Sequence, residues 1–251
     1  MPSTTEPRAW RPYRQAVMFT LGAVFCLSLA ALTALVAPVA RAVPAPASGC
    51  AAVNIITARA STEAPGEGMT GSLVTQIVNS STQTVSREAV VYPATLTNYA
   101  SSESQGVTNA EQELTTAVQN CPNQKEVLLG YSQGAEVTMD VITGNSEVGG
   151  TVAPVSTSIS SHVVALANFG DPGHVVSQPW DLGTATLNGL FPRSTSQLQL
   201  LSAFGGGNKI ASWCDSGDPF CAGGANLQVH LTYLSRYQNA AASFVLGKIG
   251  G

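Results

Sequence analysis

The 251-residue chain predicts an α/β domain, a mostly parallel sheet of about five strands covered by helices on both faces. Three observations lead there. Short apolar runs alternate with segments whose apolar residues recur at helical spacing. Those runs are continuous, as in strands buried on both sides, rather than alternating with polar residues. One of them, Val127-Leu128-Leu129, leads directly into Gly130-Tyr131-Ser132-Gln133-Gly134, and Ala135–Met139 can continue as a helix. In order, Val53–Ile56 reads as a strand and Gly68–Ser80 as a helix through Leu73, Ile77 and Val78. Ala89–Tyr92 reads as a second strand. Ala110, Leu114, Ala117 and Val118 share a helical face that closes at Cys121-Pro122. Val127–Leu129, Val163–Phe169 and Lys209–Cys214 complete the strands, and Leu231, Leu234, Ala241, Phe244 and Val245 line a final helix.

The first residues stand outside that domain. Arg8, Arg11 and Arg14 precede an uncharged segment from Gln15 to Ala40, which ends in Ala40-Arg41-Ala42. This is the pattern of a secretory signal peptide over residues 1–42. A retained membrane anchor is the alternative, since the segment is long enough to span a bilayer. Residues 43–49, with two prolines, read as a short disordered lead-in, and residues 50–251 as one domain. The chain has 11 basic and 15 acidic residues; the leader carries Arg8, Arg11, Arg14, Arg41 and Glu6. Its removal leaves 7 basic and 14 acidic residues, a formal charge of −7. That sign disfavours nucleic acid and anionic membranes as partners, and the domain is expected to act as a monomer.

Four cysteines remain beyond the leader: Cys50, Cys121, Cys214 and Cys221. An even number in an exported chain suggests two disulfides, with three possible connectivities. Cys214 and Cys221 enclose six residues and pair most easily, which leaves Cys50 with Cys121. Zinc is the competing use of four cysteines, but no Cys-x-x-Cys pair is present.

Gly130–Gly134 has the Gly-x-Ser-x-Gly form of a nucleophile elbow, a sharp turn that lifts a serine hydroxyl out of the sheet edge. Crowding by neighbouring elements excludes side chains at the flanking positions, hence the glycines. A serine hydroxyl needs a base, and the base needs a third group to hold its tautomer. Of three histidines, His162 precedes a strand at the wrong end of the sheet, and His174 follows Gly170-Asp171-Pro172-Gly173. His230 comes late, as the order serine, acid, histidine requires. Asp171 ends the strand after the serine's strand and reads as a turn acceptor. Asp218 ends the next strand along, inside the Cys214–Cys221 loop, and is the expected orienting acid; Asp215 reads as a loop cap.

Four blocks together resemble the cutinase family, which also includes acetylxylan esterases. They are Ala58-Arg59-Ala60-Ser61-Thr62-Glu63, Gly130–Gly134, Cys214-Asp215-Ser216-Gly217-Asp218-Pro219-Phe220-Cys221 and His230-Leu231-Thr232-Tyr233. The resemblance spans Cys50 to about Val245, with Ala60 standing where many relatives carry glycine. It implies a cutinase-like α/β-hydrolase without a large lid, with Ser132 as nucleophile, His230 as base and Asp218 as orienter. It also implies an oxyanion hole from the N–H groups of Gln133 and Ser61, with the Ser61 hydroxyl as a further donor, and an ester substrate with no metal or organic cofactor. Phe220, Leu227 and Val229 flank the acid and base and are candidates for acyl binding, while Leu187, Leu190, Phe191 and Leu198 are candidates for a groove wall. A silent carbohydrate- or cell-wall-binding protein and a peptidase are the rival readings.

Overall fold

The computed structural model describes residues 49–250; the leader and residues 43–48 lie outside the described residues. Six parallel strands form one sheet in the order β2-β1-β3-β4-β6-β5. They are β1 (Val53–Ala58), β2 (Val85–Ala89), β3 (Lys125–Tyr131), β4 (Val163–Phe169), β5 (Asp181–Gly183) and β6 (Ile210–Cys214). Helices α1 (Gly71–Ser80) and α7 (Tyr233–Ile249) cover one face. The other carries α2 (Tyr99–Asn120), α3 (Gln133–Thr143) and α5 (Thr195–Phe204). Two short helices, α4 (Thr157–Ser160) and α6 (Leu227–Leu231), sit in the connections.

Strand periodicity sorts the core into two layers. Val53 and Ile55 of β1 and Val127 and Leu129 of β3 pack with Leu73, Ile77, Ala241 and Val245. Their neighbours Ile56 and Leu128 point the other way, onto Val107, Leu114, Val137 and Val141. The central strands are therefore apolar on both faces, which is why they read as unbroken runs. Each fully buried Leu or Ile contributes on the order of 1.5–3 kcal/mol.

Three elements differ from expectation. The second strand is Val85–Ala89, not Ala89–Tyr92. Its outer position tolerates the exposed Arg87 and Glu88, whereas Val90 and Tyr92 turn off the sheet into the core beside α2. A sixth strand, β5, adds three residues to the far edge, too short to carry a periodic signal. The helix before Cys121 begins at Tyr99, through a stretch of serine, glutamine and asparagine with few apolar residues. Leu198, expected in a groove wall, instead packs on the core beneath α5.

Both disulfides form as paired by proximity: Cys50–Cys121 and Cys214–Cys221. The first closes a long loop and stabilises by about 4 kcal/mol on a chain-entropy estimate.

At the amino ends of the central strands, Glu126 is fully buried. One oxygen accepts from Asn54 Nδ2 at 3.1 Å, and the other has no partner. Burial pushes its carboxyl up to about 7, opposed by the Asn54 hydrogen bond and aided by Glu88. A carboxyl raised on folding favours the folded state fully below its unfolded pKa, and that advantage is lost as pH rises through 7. Glu126→Gln should therefore raise stability by about 1 kcal/mol at pH 8 and give no gain at pH 5, measured by urea unfolding at both values.

Candidate active site

The carboxyl ends of β1, β3, β4 and β6 bring the candidate residues to one edge. Ser132 sits between β3 and α3 at φ 55°, ψ −122°. That left-handed backbone is costly for a non-glycine residue, by about 1–3 kcal/mol. The turn is held by the Ser132 N–H donating to the Phe169 carbonyl at 2.8 Å, and by the first bonds of α3 to the Ser132 carbonyl. Its tightness depends on the flanking glycines. A Cβ at Gly134 would stand 2.0 Å from the Ala58 carbonyl oxygen, and one at Gly130 would stand 2.4 Å from the Gly134 carbonyl oxygen. Ser132 keeps 9% of its surface exposed.

Asp218 and His230 form a buried pair, with Asp218 Oδ2 2.7 Å from His230 Nδ1. The acid is gripped on all sides. Its Oδ1 accepts from the N–H groups of Phe220 at 2.7 Å and Cys221 at 3.1 Å, and Oδ2 also accepts from the Tyr233 hydroxyl at 2.8 Å. Burial alone would raise this carboxyl. The hydrogen bond and charge attraction of His230, with the two N–H groups, outweigh it and hold the carboxyl below the usual range. An ionised acid on Nδ1 leaves Nε2 as the ring's free position. The Cys214–Cys221 bridge closes the loop that carries Asp218.

The ring of His230 is boxed by aromatics. Phe220 lies 4.5 Å away between centroids and Tyr131 lies 5.8 Å away. The Tyr131 hydroxyl donates to the His230 carbonyl, so the residue before Ser132 anchors the backbone of the histidine. Gly170, at φ +63°, passes beneath the ring, where a Cβ would fall 2.7 Å from His230 Cε1.

Ser61 lies in the loop that follows β1, whose last residue, Ala58, packs against the start of α3 at Gly134. The Ser61 hydroxyl is shielded from solvent and has no hydrogen-bond partner. Such an orphan costs about 1–3 kcal/mol and invites an incoming acceptor. Its loop is pinned by Thr62 N–H to the Ala94 carbonyl at 2.7 Å. Arg59, which donates to the Val90, Tyr92 and Glu63 carbonyls, pins it as well. Gln133 opens α3, where first-turn N–H groups lack helical acceptors and the helix dipole is positive. Its side chain is tied back, accepting from Ser102 at 3.2 Å and donating to Thr95 at 3.3 Å.

The remaining candidates separate by position. Asp171 accepts from Gly173 N–H at 2.8 Å and from Arg193 at 2.6 Å, and Asp215 caps Thr184, Arg236 and Tyr237. His162 precedes β4 at the opposite end of the sheet, and His174 is buried 3.5 Å from Asp181. Among the acyl candidates, Phe220 touches the His230 ring, Val229 is half-buried, and Leu227 is exposed on α6. Leu187 and Leu190 are exposed, and the Leu190 N–H donates to the Phe220 carbonyl at 2.9 Å, which places this loop beside the acid. Sequence reasoning assigned no role to Tyr131 or Tyr233, whose hydroxyls hold the histidine backbone and the acid. Their places beside Ser132 and three residues after His230 were the available signal.

Residues 49–249 match the family model described as Cutinase. A Verticillium dahliae protein, Cutinase 11, is 32% identical over 80% of this chain and 70% of its own length. Phospholipase Culp4 of Mycobacterium tuberculosis is 30% identical over 97% of this chain and 98% of its own. A solved acetyl xylan esterase superposes with a TM-score of 0.72 at 31% identity, covering 80% of this chain and all of that one.

Gly134→Ala should push α3 away from β1 and cost about 3 kcal/mol or more, read as a lowered urea midpoint. An unchanged midpoint would show that the elbow is less crowded than the Ala58 contact requires.

Proposed function

This chain belongs to the cutinase family and is a carboxylic ester hydrolase, and we propose that it acts as a secreted, monomeric serine esterase working through Ser132, His230 and Asp218. His230 Nε2 takes the Ser132 proton as Oγ attacks the ester carbonyl. The oxyanion is met by the N–H groups of Gln133 and Ser61 and by the Ser61 hydroxyl. His230 gives that proton to the leaving alcohol as the acyl group stays on Ser132 Oγ; it then takes a proton from the water that attacks this acyl-enzyme and passes it to Ser132 Oγ as the acid leaves. The observation that carries this reading is the buried 2.7 Å Asp218–His230 pair, anchored to the strand of a strained serine. The orphaned Ser61 hydroxyl supports the oxyanion role.

Two formed disulfides suit an oxidising compartment, and the leader of three arginines, an uncharged segment and Ala40-Arg41-Ala42 suits export. No helix of the described residues is long and apolar enough to cross a membrane.

The substrates proposed are cutin-like polyesters and short- to medium-chain acyl esters, with Phe220, Leu227 and Val229 on the acyl side. Leu187, Leu190, Leu227 and Leu231 are about half exposed, which favours an apolar chain over a sugar. Acetylxylan is the second reading, supported by the superposition on the acetyl xylan esterase.

Hydrolysis of p-nitrophenyl acetate, butyrate and palmitate tests both. Ser132→Ala should lower kcat by about 10⁴-fold or more while the protein stays folded. Butyrate should be hydrolysed at least as well as acetate. Activity confined to acetate, with acetate released from acetylated xylan, would move the assignment to the second reading; no Ser132-dependent turnover would reject both. Ser61→Ala should lower kcat by about 10²-fold. Because it removes a buried orphan, it should leave thermal stability unchanged or raised, a combination that a merely structural serine would not give.

A further inference from the structure

His230 stands on α6, a five-residue helix outside the sheet, and Asp218 stands in a loop, so neither is held by strand pairing. Tyr233, three residues after the histidine and the first of α7, packs edge-on to the His230 ring at 6.3 Å between centroids. It is fully buried. Its hydroxyl accepts from the Asp215 N–H at 2.8 Å and lies 2.8 Å from Asp218 Oδ2. The Asp218 N–H in turn donates to the Asp215 carbonyl at 3.1 Å. One hydroxyl therefore closes the turn from Asp215 to Asp218, from its first amide to its last side chain.

The direction of these bonds is forced. An amide N–H can only donate, so Asp215 occupies a lone pair of the phenol oxygen. The hydroxyl has one proton, and its other neighbours are Asp218 Oδ2 and, at 3.3 Å, the disulfide-bonded Cys221 sulfur, a weak acceptor. The proton goes to the carboxylate. Burial and the charge of Asp218 push the Tyr233 hydroxyl well above its usual range, so it stays a donor. Asp218 Oδ2 thus meets both the Tyr233 hydroxyl and His230 Nδ1. Asp218 is the one carboxylate bonded to His230 among the described residues. The charged groups on the surrounding elements are engaged elsewhere: Asp215 with Arg236 at 3.0 Å, Asp171 with Arg193 at 2.6 Å, and Glu63 with the Ala60 and Met69 N–H groups.

On the assignment of Ser132, His230 and Asp218 as the catalytic set, on which this inference rests, we propose that Tyr233 is a positioning residue acting through Asp218. Its hydroxyl fixes the orientation of the carboxylate and takes up part of the charge on Oδ2, which sets how strongly His230 holds a proton. Without that donor the charge on Oδ2 falls on His230 alone, and the ring releases its proton less readily. Asp218 and Tyr233 are both fully buried, so the charge is shared between protein groups rather than with solvent. Tyr131 differs. Its hydroxyl accepts from the Tyr233 N–H at 3.3 Å and donates to the His230 carbonyl, holding backbone without touching the carboxylate.

The test compares pH profiles of p-nitrophenyl butyrate hydrolysis for the wild type, Tyr233→Phe and Tyr131→Phe. Tyr233→Phe keeps the ring and should lower kcat by about tenfold with KM changed by less than about twofold. It should also move the acid limb of kcat/KM to higher pH by about half a unit or more. Tyr131→Phe should lower kcat with the limb in place. An unmoved limb in Tyr233→Phe overturns the proposal whatever happens to stability, and so does an equal movement in Tyr131→Phe, which would report disturbed packing. If Tyr233→Phe does not fold, meta-fluorotyrosine in place of Tyr233 decides. Its more acidic phenol is the stronger donor and should move the limb to lower pH; no movement overturns the proposal. The NMR titration of the His230 ring, read without substrate in Ser132→Ala, should move upward when Tyr233→Phe is added. That readout separates the two claims. A shifted titration without Ser132-dependent turnover rejects the esterase reading and keeps the coupling, whereas an unshifted one rejects the coupling even in an active esterase.

Discussion

The contact between the start of α3 and the end of β1 is the constraint from which the site follows. With hydrogen alone at Gly134, the helix comes down onto the Ala58 carbonyl, where a Cβ would stand at 2.0 Å. That approach fixes Ser132 in a backbone conformation it would not choose, and sets the start of α3 against the Ala58 and Arg59 carbonyls, where the chain leaves β1 towards Ser61. Strain at one residue is thus sustained by the sheet and both its layers. Loosening any of them would let the serine relax out of position.

Sheet order then distributes the other groups. Since β4 lies between β3 and β6, Asp171 emerges next to the elbow and Asp218 one strand further on. The nearer acid is spent on Arg193, and the further one reaches His230. The disulfide loop, the Phe220 and Cys221 N–H groups and the Tyr233 hydroxyl bind Asp218 from three directions, so it orients the histidine without needing solvent.

What was readable in the chain reflects how local each cause is. Strand β4 was legible end to end because burial on both faces demands an unbroken apolar run. Strand β5 was not, since three residues, Asp-Leu-Gly, carry no period. The strand expected at Ala89–Tyr92 was misplaced for a related reason: Val90 and Tyr92 are apolar because they enter the core, while the true edge strand is polar. Ser132, Asp218 and His230 stood out because their chemistry restricts residue type and order. Tyr131, Tyr233 and Arg193 did not. Their partners lie far along the chain, from Tyr131 to His230 and from Arg193 to Asp140, and only tertiary packing brings them together.

The polar edge strand has a consequence for behaviour in company. An open parallel sheet offers unpaired backbone groups along its outermost strands, and these are templates for another chain's strand. Here one margin, β2, presents Arg87 and Glu88, with Arg87 paired to Glu67, and the other, β5, is three residues long. Neither gives a flat apolar ribbon for a second molecule to extend. Molecules crowded together at high concentration would therefore meet one another without zipping sheet to sheet.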